Sequence, residues 1–76
     1  RAVKFIDALG GADNFKNIDA CITRLRLSLV DQHKINEEQL KSLGAKGIVK
    51  IGNDGLQVVL GPEAELVAEA MKQKVK

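Results

Sequence analysis

The 76 residues contain neither tryptophan nor tyrosine, and Phe5 and Phe15 are the only aromatic side chains. Platforms for stacking bases are therefore absent, which argues against a single-stranded nucleic-acid binder. The formal net charge is only +2, and the lysines are spread along the chain instead of forming a stripe. A phosphate-backbone footprint is poorly supported, and no nucleic-acid partner is expected. There is one cysteine, Cys21, and one histidine, His33, twelve residues away. An internal disulfide is excluded, a zinc site made by the protein alone is not supported, and a reduced, cytosolic setting is expected. No apolar run approaches the roughly 20 residues that cross a bilayer, and no signal-peptide pattern opens the chain, so it is expected not to insert into a membrane itself. It begins at Arg1, already inside a helical pattern, which predicts a single domain, residues 1–76, excised from a larger protein.

A chain of this length buries only about 60% of its unfolded surface, so one layer of helices on one sheet suffices for a core. The stretch that organises it is NIDACITRLRLSLVD, residues 17–31. Leu25, Leu27 and Leu29 alternate with Arg24, Arg26 and Ser28, the period of a strand with one buried face. Upstream, Ile18, Ala20 and Ile22 fall on even numbers. A continuous strand cannot change faces without a bulge or a reversal, so Cys21, Ile22 and Thr23 are placed in a tight connection, with the thiol at an exposed edge.

Elsewhere the pattern is conventional. Val3, Phe5, Ile6 and Leu9 share a helical face over residues 2–9, and Gly10 with Gly11 supplies the stop. Residues 12–16 read as a polar connector whose Phe15 drops into the core. Asn36 as N-cap, Gln39 at the third helical position and an Ile35–Leu40 staple predict a short helix over 37–43, ended by Gly44. Apolar, β-branched runs at 47–51 and 56–60 flank Gly52-Asn53-Asp54-Gly55, a hairpin turn. Pro62 opens a last helix with an apolar stripe of Leu66, Val67, Ala70, Met71 and Val75. The class expected is α+β: a four-stranded, mainly antiparallel sheet with three helices on one face, in the order α-ββ-α-ββ-α.

The chemistry gathers at Cys21. Neighbouring arginines and loop N–H groups stabilise a thiolate. Arg24 and Arg26, two apart on a strand, project from the same solvent face, where guanidinium groups suit phosphate oxygens. Thr23 adds a hydroxyl, and a tight turn can aim successive N–H groups at an anion. A nucleophile with an oxyanion cradle but no neighbouring acid–base partner suits receiving a phosphoryl group and handing it on. Against this, a lone cysteine is usually a buried hydrophobe and alternating arginines are usually a solvated strand face. His33 reads as plain surface more readily than as a base, and Asp19 reads equally well as a turn cap. Gly52-Asn53-Asp54-Gly55 lacks the Lys-Ser/Thr of a phosphate loop.

The segment IDACITRLRL, residues 18–27, resembles the active-site signature of the IIB domains of the glucose superfamily of the bacterial phosphoenolpyruvate-dependent sugar phosphotransferase system. Similarity continues through LGAKGI at 43–48 and QVVLG at 57–61. The resemblance implies that Cys21 carries phosphate on sulfur, taken from a phosphohistidine of a IIA protein or domain and passed to sugar held by a membrane IIC domain, with Arg24 and Arg26 serving mainly the second transfer. The phosphate-binding set is then Ile22, Thr23 and Arg24, and Asp19, Ile22 and Gln57 are contacts for the IIA partner. The implied setting is the cytoplasmic face of the membrane, with no cofactor and no metal. The second half of the chain looks more like N-acetylglucosamine than glucose permeases. Two other classes compete: a tyrosine-phosphatase-like thiol enzyme, which wants a longer phosphate loop and a general acid, and a non-catalytic module binding an acidic partner through its arginine face.

Overall fold

The structure, a computed structural model, describes residues 2–75. In chain order it comprises α1 (Ala2–Ala8), β1 (Phe15–Ala20), β2 (Arg24–Leu29), α2 (Glu37–Ser42), β3 (Gly47–Ile51), β4 (Gly55–Val59) and α3 (Ala64–Val75), with single 3-10 turns at Ala12–Asn14 and Gln32–Lys34. The order α-ββ-α-ββ-α is the one expected. The sheet runs β1-β2-β4-β3 with every pair antiparallel. Within it Ile18, Leu25, Leu27, Leu29, Leu56 and Val58 are buried under the helices. The opposite face is left to Asp19, Arg24, Arg26 and Gln57.

The core is aliphatic, as the composition requires, and Phe5, Leu9, Leu25, Leu29, Leu40, Leu56, Leu60 and Met71 are its largest fully buried members. Each such side chain is worth about 1.5–3 kcal/mol of burial. The expected inner faces of the first and last helices are corrected at Val3, Leu66 and Ala70, which lie outside. On α1 it is Ala2 and Ala8 that turn inward with Phe5, Ile6 and Leu9, while Val3 stays exposed. On α3 the inward stripe is Ala64, Val67, Ala68 and Met71, with Leu66 75% exposed and Ala70 also outside. Small residues at Ala64 and Ala68 let the helix sit close to the sheet, and dense packing selects that rotation over one that buries a larger leucine. Pro62 lies in the turn before α3 instead of at its first position; Ala64 N–H donates to Gly61 C=O across that turn at 3.0 Å.

The first strand is longer than expected. It starts at Phe15, because the register shifts between Phe15 and Asn17. This bulge reverses the parity at Lys16, so that Phe15 and Ile18 both face the core. Asn14, buried just before it, donates through Nδ2 to Leu9 C=O at 2.8 Å and to Asp31 C=O at 2.9 Å, and its Oδ1 accepts from Asp31 N–H at 2.9 Å. It thereby ties the end of α1 to the end of β2. A Cβ on Gly10 would stand 2.6 Å from Asn14 Nδ2, so this junction needs glycine there for space as well as for its φ of +101°. Asn36 caps α2 as expected, accepting from Gln39 N–H at 3.1 Å. The N–H of Asn36 goes to Ala8 C=O at 2.7 Å, binding α2 to α1.

Candidate functional site

β1 and β2 are joined by Cys21, Ile22 and Thr23, the connection that the parity break demanded. Cys21 N–H donates to Arg24 C=O at 2.9 Å, closing the turn. Among the described residues no non-glycine residue has a positive φ, so this is not one of the primed two-residue turns that hairpins favour. The amides of Thr23 and Arg24 are aimed elsewhere. The N–H of Thr23 faces the thiol of Cys21 and, more than any other group, holds it below the ordinary thiol range. Partial desolvation opposes this. The Arg24 N–H, the positive charge of Arg26 and the cysteine's own amide add to the lowering. The thiol is free and partly exposed, so its reactive form is both favoured and reachable.

The two arginines divide their work. Both are exposed on the outer face of β2, but Arg24 Nη1 donates to Gln57 Oε1 at 3.0 Å, and what Arg24 contributes to the thiolate is its backbone N–H. The guanidinium whose charge reaches the sulfur is that of Arg26. Gln57 is brought in by the sheet order, since β4 lies against β2 with Arg26 opposite Gln57 and Arg24 opposite Val59. On the other side Asp19 of β1 stands opposite Arg26. Asn17, Asp19, Arg26, Ser28 and Gln57 line part of a shallow depression of about 180 Å³ on this face. Asp19 Oδ1 also accepts from the Ala20 N–H at 2.8 Å, the local capping role that its residue type suggested. Ile22 is 75% exposed at the tip of the turn.

All seven residues singled out from the sequence thus lie on one surface: Cys21, Ile22 and Thr23 on the turn, Asp19, Arg24, Arg26 and Gln57 on the strands beside it. His33 is not among them. It follows the far end of β2, and the rise of a strand puts roughly 17 Å between Arg24 and Leu29 alone, so it cannot serve as the base for Cys21. Among the described residues no group of three or more His, Cys, Asp or Glu is arranged to hold a metal ion. What the sequence did not point to is the support behind the turn. Leu60 and Gly61 both donate their N–H groups to the carbonyl of Thr23, each at 2.9 Å.

Similarity to known proteins covers this region and extends beyond it. Residues 3–36 match the family model described as phosphotransferase system, EIIB. The chain is 49% identical over 74 residues, 97% of its length, to the N-acetylglucosamine-specific EIICBA component of the phosphotransferase system of Escherichia coli K12, and 43% identical over 70 residues to the glucose-specific EIICBA component of Staphylococcus carnosus. An N-acetylglucosamine-specific EIICB component of Bacillus subtilis is 45% identical over 71 residues. The chain spans 10–16% of the length of these relatives. The crystal structure of one domain of the IIabc component of this system from Clostridium difficile superposes with a TM-score of 0.74 at 26% identity, covering 96% of this chain and 77% of that one. Together with the α-ββ-α-ββ-α fold and the cysteine turn, these similarities show that the chain belongs to the glucose-type EIIB domains of the phosphotransferase system.

Proposed function

We propose that the chain, residues 1–76, is one domain of a larger sugar permease and acts as its phosphocarrier, with Cys21 as the carrying atom. The observation that carries the reading is the convergence on one partly exposed thiol of the Thr23 and Arg24 N–H groups and the Arg26 charge. In the first transfer the Cys21 thiolate attacks the phosphorus of a phosphohistidine on a IIA protein or domain. The S–P bond forms as the N–P bond breaks, and the donor imidazole leaves with the electron pair. In the second, a hydroxyl of sugar held by a membrane IIC domain attacks, the O–P bond forms as the S–P bond breaks, the hydroxyl proton is released to solvent, and the thiolate is restored.

The cradle that favours the thiolate also suits the equatorial oxygens of the phosphoryl group in flight. Ile22, Thr23 and Arg24 line it. Arg26, whose guanidinium stands toward the outer face, is placed to neutralise charge during transfer to sugar. Asp19, Ile22 and Gln57 form the rim on which IIA docks. A carrier that must leave each partner needs a small interface, and one exposed isoleucine in a charged surround fits that need. Names of the relatives join EIIC, EIIB and in some cases EIIA, which supports IIA and IIC as the partners, the cytoplasmic side of the membrane as the setting, and N-acetylglucosamine ahead of glucose as the sugar. No helix among the described residues is long and apolar enough to cross a membrane.

Intact-mass analysis tests this after incubation with phosphoenolpyruvate, enzyme I, the histidine phosphocarrier and a IIA protein. One phosphate of added mass, lost in Cys21→Ser, is the expected result. Release of inorganic phosphate without a stable adduct favours the phosphatase-like alternative, and no reaction favours the plain binding module.

A further inference from the structure

The turn that holds Cys21 has no glycine and no strained residue of its own, and besides the Cys21 N–H to Arg24 C=O bond that closes it, it has a second fixed point in another part of the chain. Leu60 and Gly61, at the exit of β4, present consecutive N–H groups to the single carbonyl of Thr23, each at 2.9 Å. That carbonyl belongs to the same peptide unit as the N–H of Arg24. Gly61 is buried, and its φ of +109° turns the chain toward α3 directly after the second donor. A Cβ there would stand 3.0 Å from Glu63 Oε1 and 3.5 Å from Lys46 Nζ, the mobile ends of two side chains, so it is the conformation, more than the space, that calls for glycine.

We infer that the amides of Leu60 and Gly61 form a positioning clamp for the phosphate cradle: gripping the Thr23 carbonyl, they fix and polarise the Thr23–Arg24 peptide so that its N–H points at the sulfur of Cys21. Hydrogen bonds in series strengthen one another, and a peptide whose oxygen is doubly engaged is a better donor through its nitrogen. Two successive N–H groups turned to one oxygen are the arrangement that elsewhere receives anions. Here they receive a carbonyl, and the anion-binding capacity is passed one peptide onward. Neither residue touches the phosphoryl group, so their role is positioning, and its biological meaning rests on the phosphocarrier reading.

The test removes one hydrogen atom at a time. A chain of 76 residues is within reach of chemical synthesis, with Cys21 as the ligation junction, and an amide-to-ester replacement at Gly61 or Leu60 deletes the donor while leaving every side chain in place. An ester at Asn36, whose N–H donates to Ala8 C=O at 2.7 Å, is the control for loss of an ordinary tertiary hydrogen bond. The readouts are melting temperature and the pH dependence of Cys21 alkylation. All three esters should melt lower, but only those at 60 and 61 should raise the alkylation midpoint, by about half a unit each, which lowers the thiolate fraction at neutral pH about threefold. Unchanged midpoints in the 60 and 61 esters, or an equal rise in the Asn36 ester, would overturn the clamp. Should the clamp esters not fold, couplings across the hydrogen bonds from the nitrogens of Leu60 and Gly61 to the Thr23 carbonyl carbon in the native domain decide the matter, and their absence refutes it. Alkylation needs no partner protein. Failure of the native domain to take phosphate from IIA would therefore count against the phosphocarrier reading and leave the clamp measurable.

Discussion

The sheet has two hairpins with opposite ways of making a turn. Between β3 and β4 the residues Gly52, Asn53 and Asp54 supply their own geometry: Gly52 sits at φ +61°, with open space where a Cβ would be, and Gly55 allows the approach of Ile51, whose carbonyl oxygen would lie 2.6 Å from a Cβ on it. Between β1 and β2 the turn carries an isoleucine and a threonine at its tip, uses no positive φ, and is held from behind by Leu60 and Gly61. A turn shaped by its own glycines has its form without outside help, even though its Asp54 carbonyl also accepts from the Leu29 N–H at 2.7 Å. A turn shaped by its neighbours can leave N–H groups free to face a side chain, and here that side chain is the thiol.

This contrast predicts that substitutions in the first hairpin damage chemistry and those in the second damage stability. The largest effect is expected for Arg24→Lys and Arg26→Lys, which keep the charge and lose the planar fork. Phosphoryl transfer to sugar should fall roughly 10²-fold in each, with melting curves unchanged, as measured by uptake through the full permease. Wild-type uptake in both would reduce the arginines to a solvated strand face.

Gly52→Ala is the mirror case. An L-residue held at that left-handed φ costs about 1–2 kcal/mol, which denaturant titration would detect, while phosphate acceptance by Cys21 stays at the native rate. A slowed acceptance at full occupancy of the fold would mean that the two turns are coupled.

The smallest effect sharpens the division between the two arginines. Alkylation of Cys21 should titrate below the free-thiol value of about 8.5. Arg26→Gln should move the midpoint upward and Arg24→Gln should move it less, because the Arg24 side chain is turned to Gln57 and only its backbone faces the sulfur. The sign for stability follows from a depressed thiol pKa. Relative to Cys21→Ser, the native domain gains stability as pH rises from the lowered midpoint toward the free-thiol value, and loses that gain as pH falls back through the lowered midpoint. An opposite order of the two glutamine variants would reassign the arginines.

Much of the molecule was legible in its residues because the signals concerned are local. Alternation of Leu25, Leu27 and Leu29 with Arg24 and Arg26 reports a two-sided strand wherever that strand lies. The change of parity at Cys21 reports a turn, and Asn36, Gly10 and Gly44 report where helices begin and end, since caps act within one turn of the backbone. Those signals were enough to place Cys21, Ile22, Thr23, Arg24 and Arg26 on one exposed turn and strand face.

Tertiary structure decided what depends on a partner far along the chain. Strand order β1-β2-β4-β3 sets Gln57 beside Arg24 and Arg26, and no periodicity specifies which strand is a strand's neighbour. The bulge at Lys16 moved the start of β1, because a bulge erases the parity from which the strand is read. Leu66 lies outside and Ala68 inside because a helix rotation of about 100° per residue makes adjacent stripes nearly equal in hydrophobicity, and only the fit against the sheet chooses between them. The grip of Leu60 and Gly61 on Thr23 is made by backbone atoms that every sequence possesses. Residue types therefore carry no mark of it, and only the folded chain brings those amides to that carbonyl.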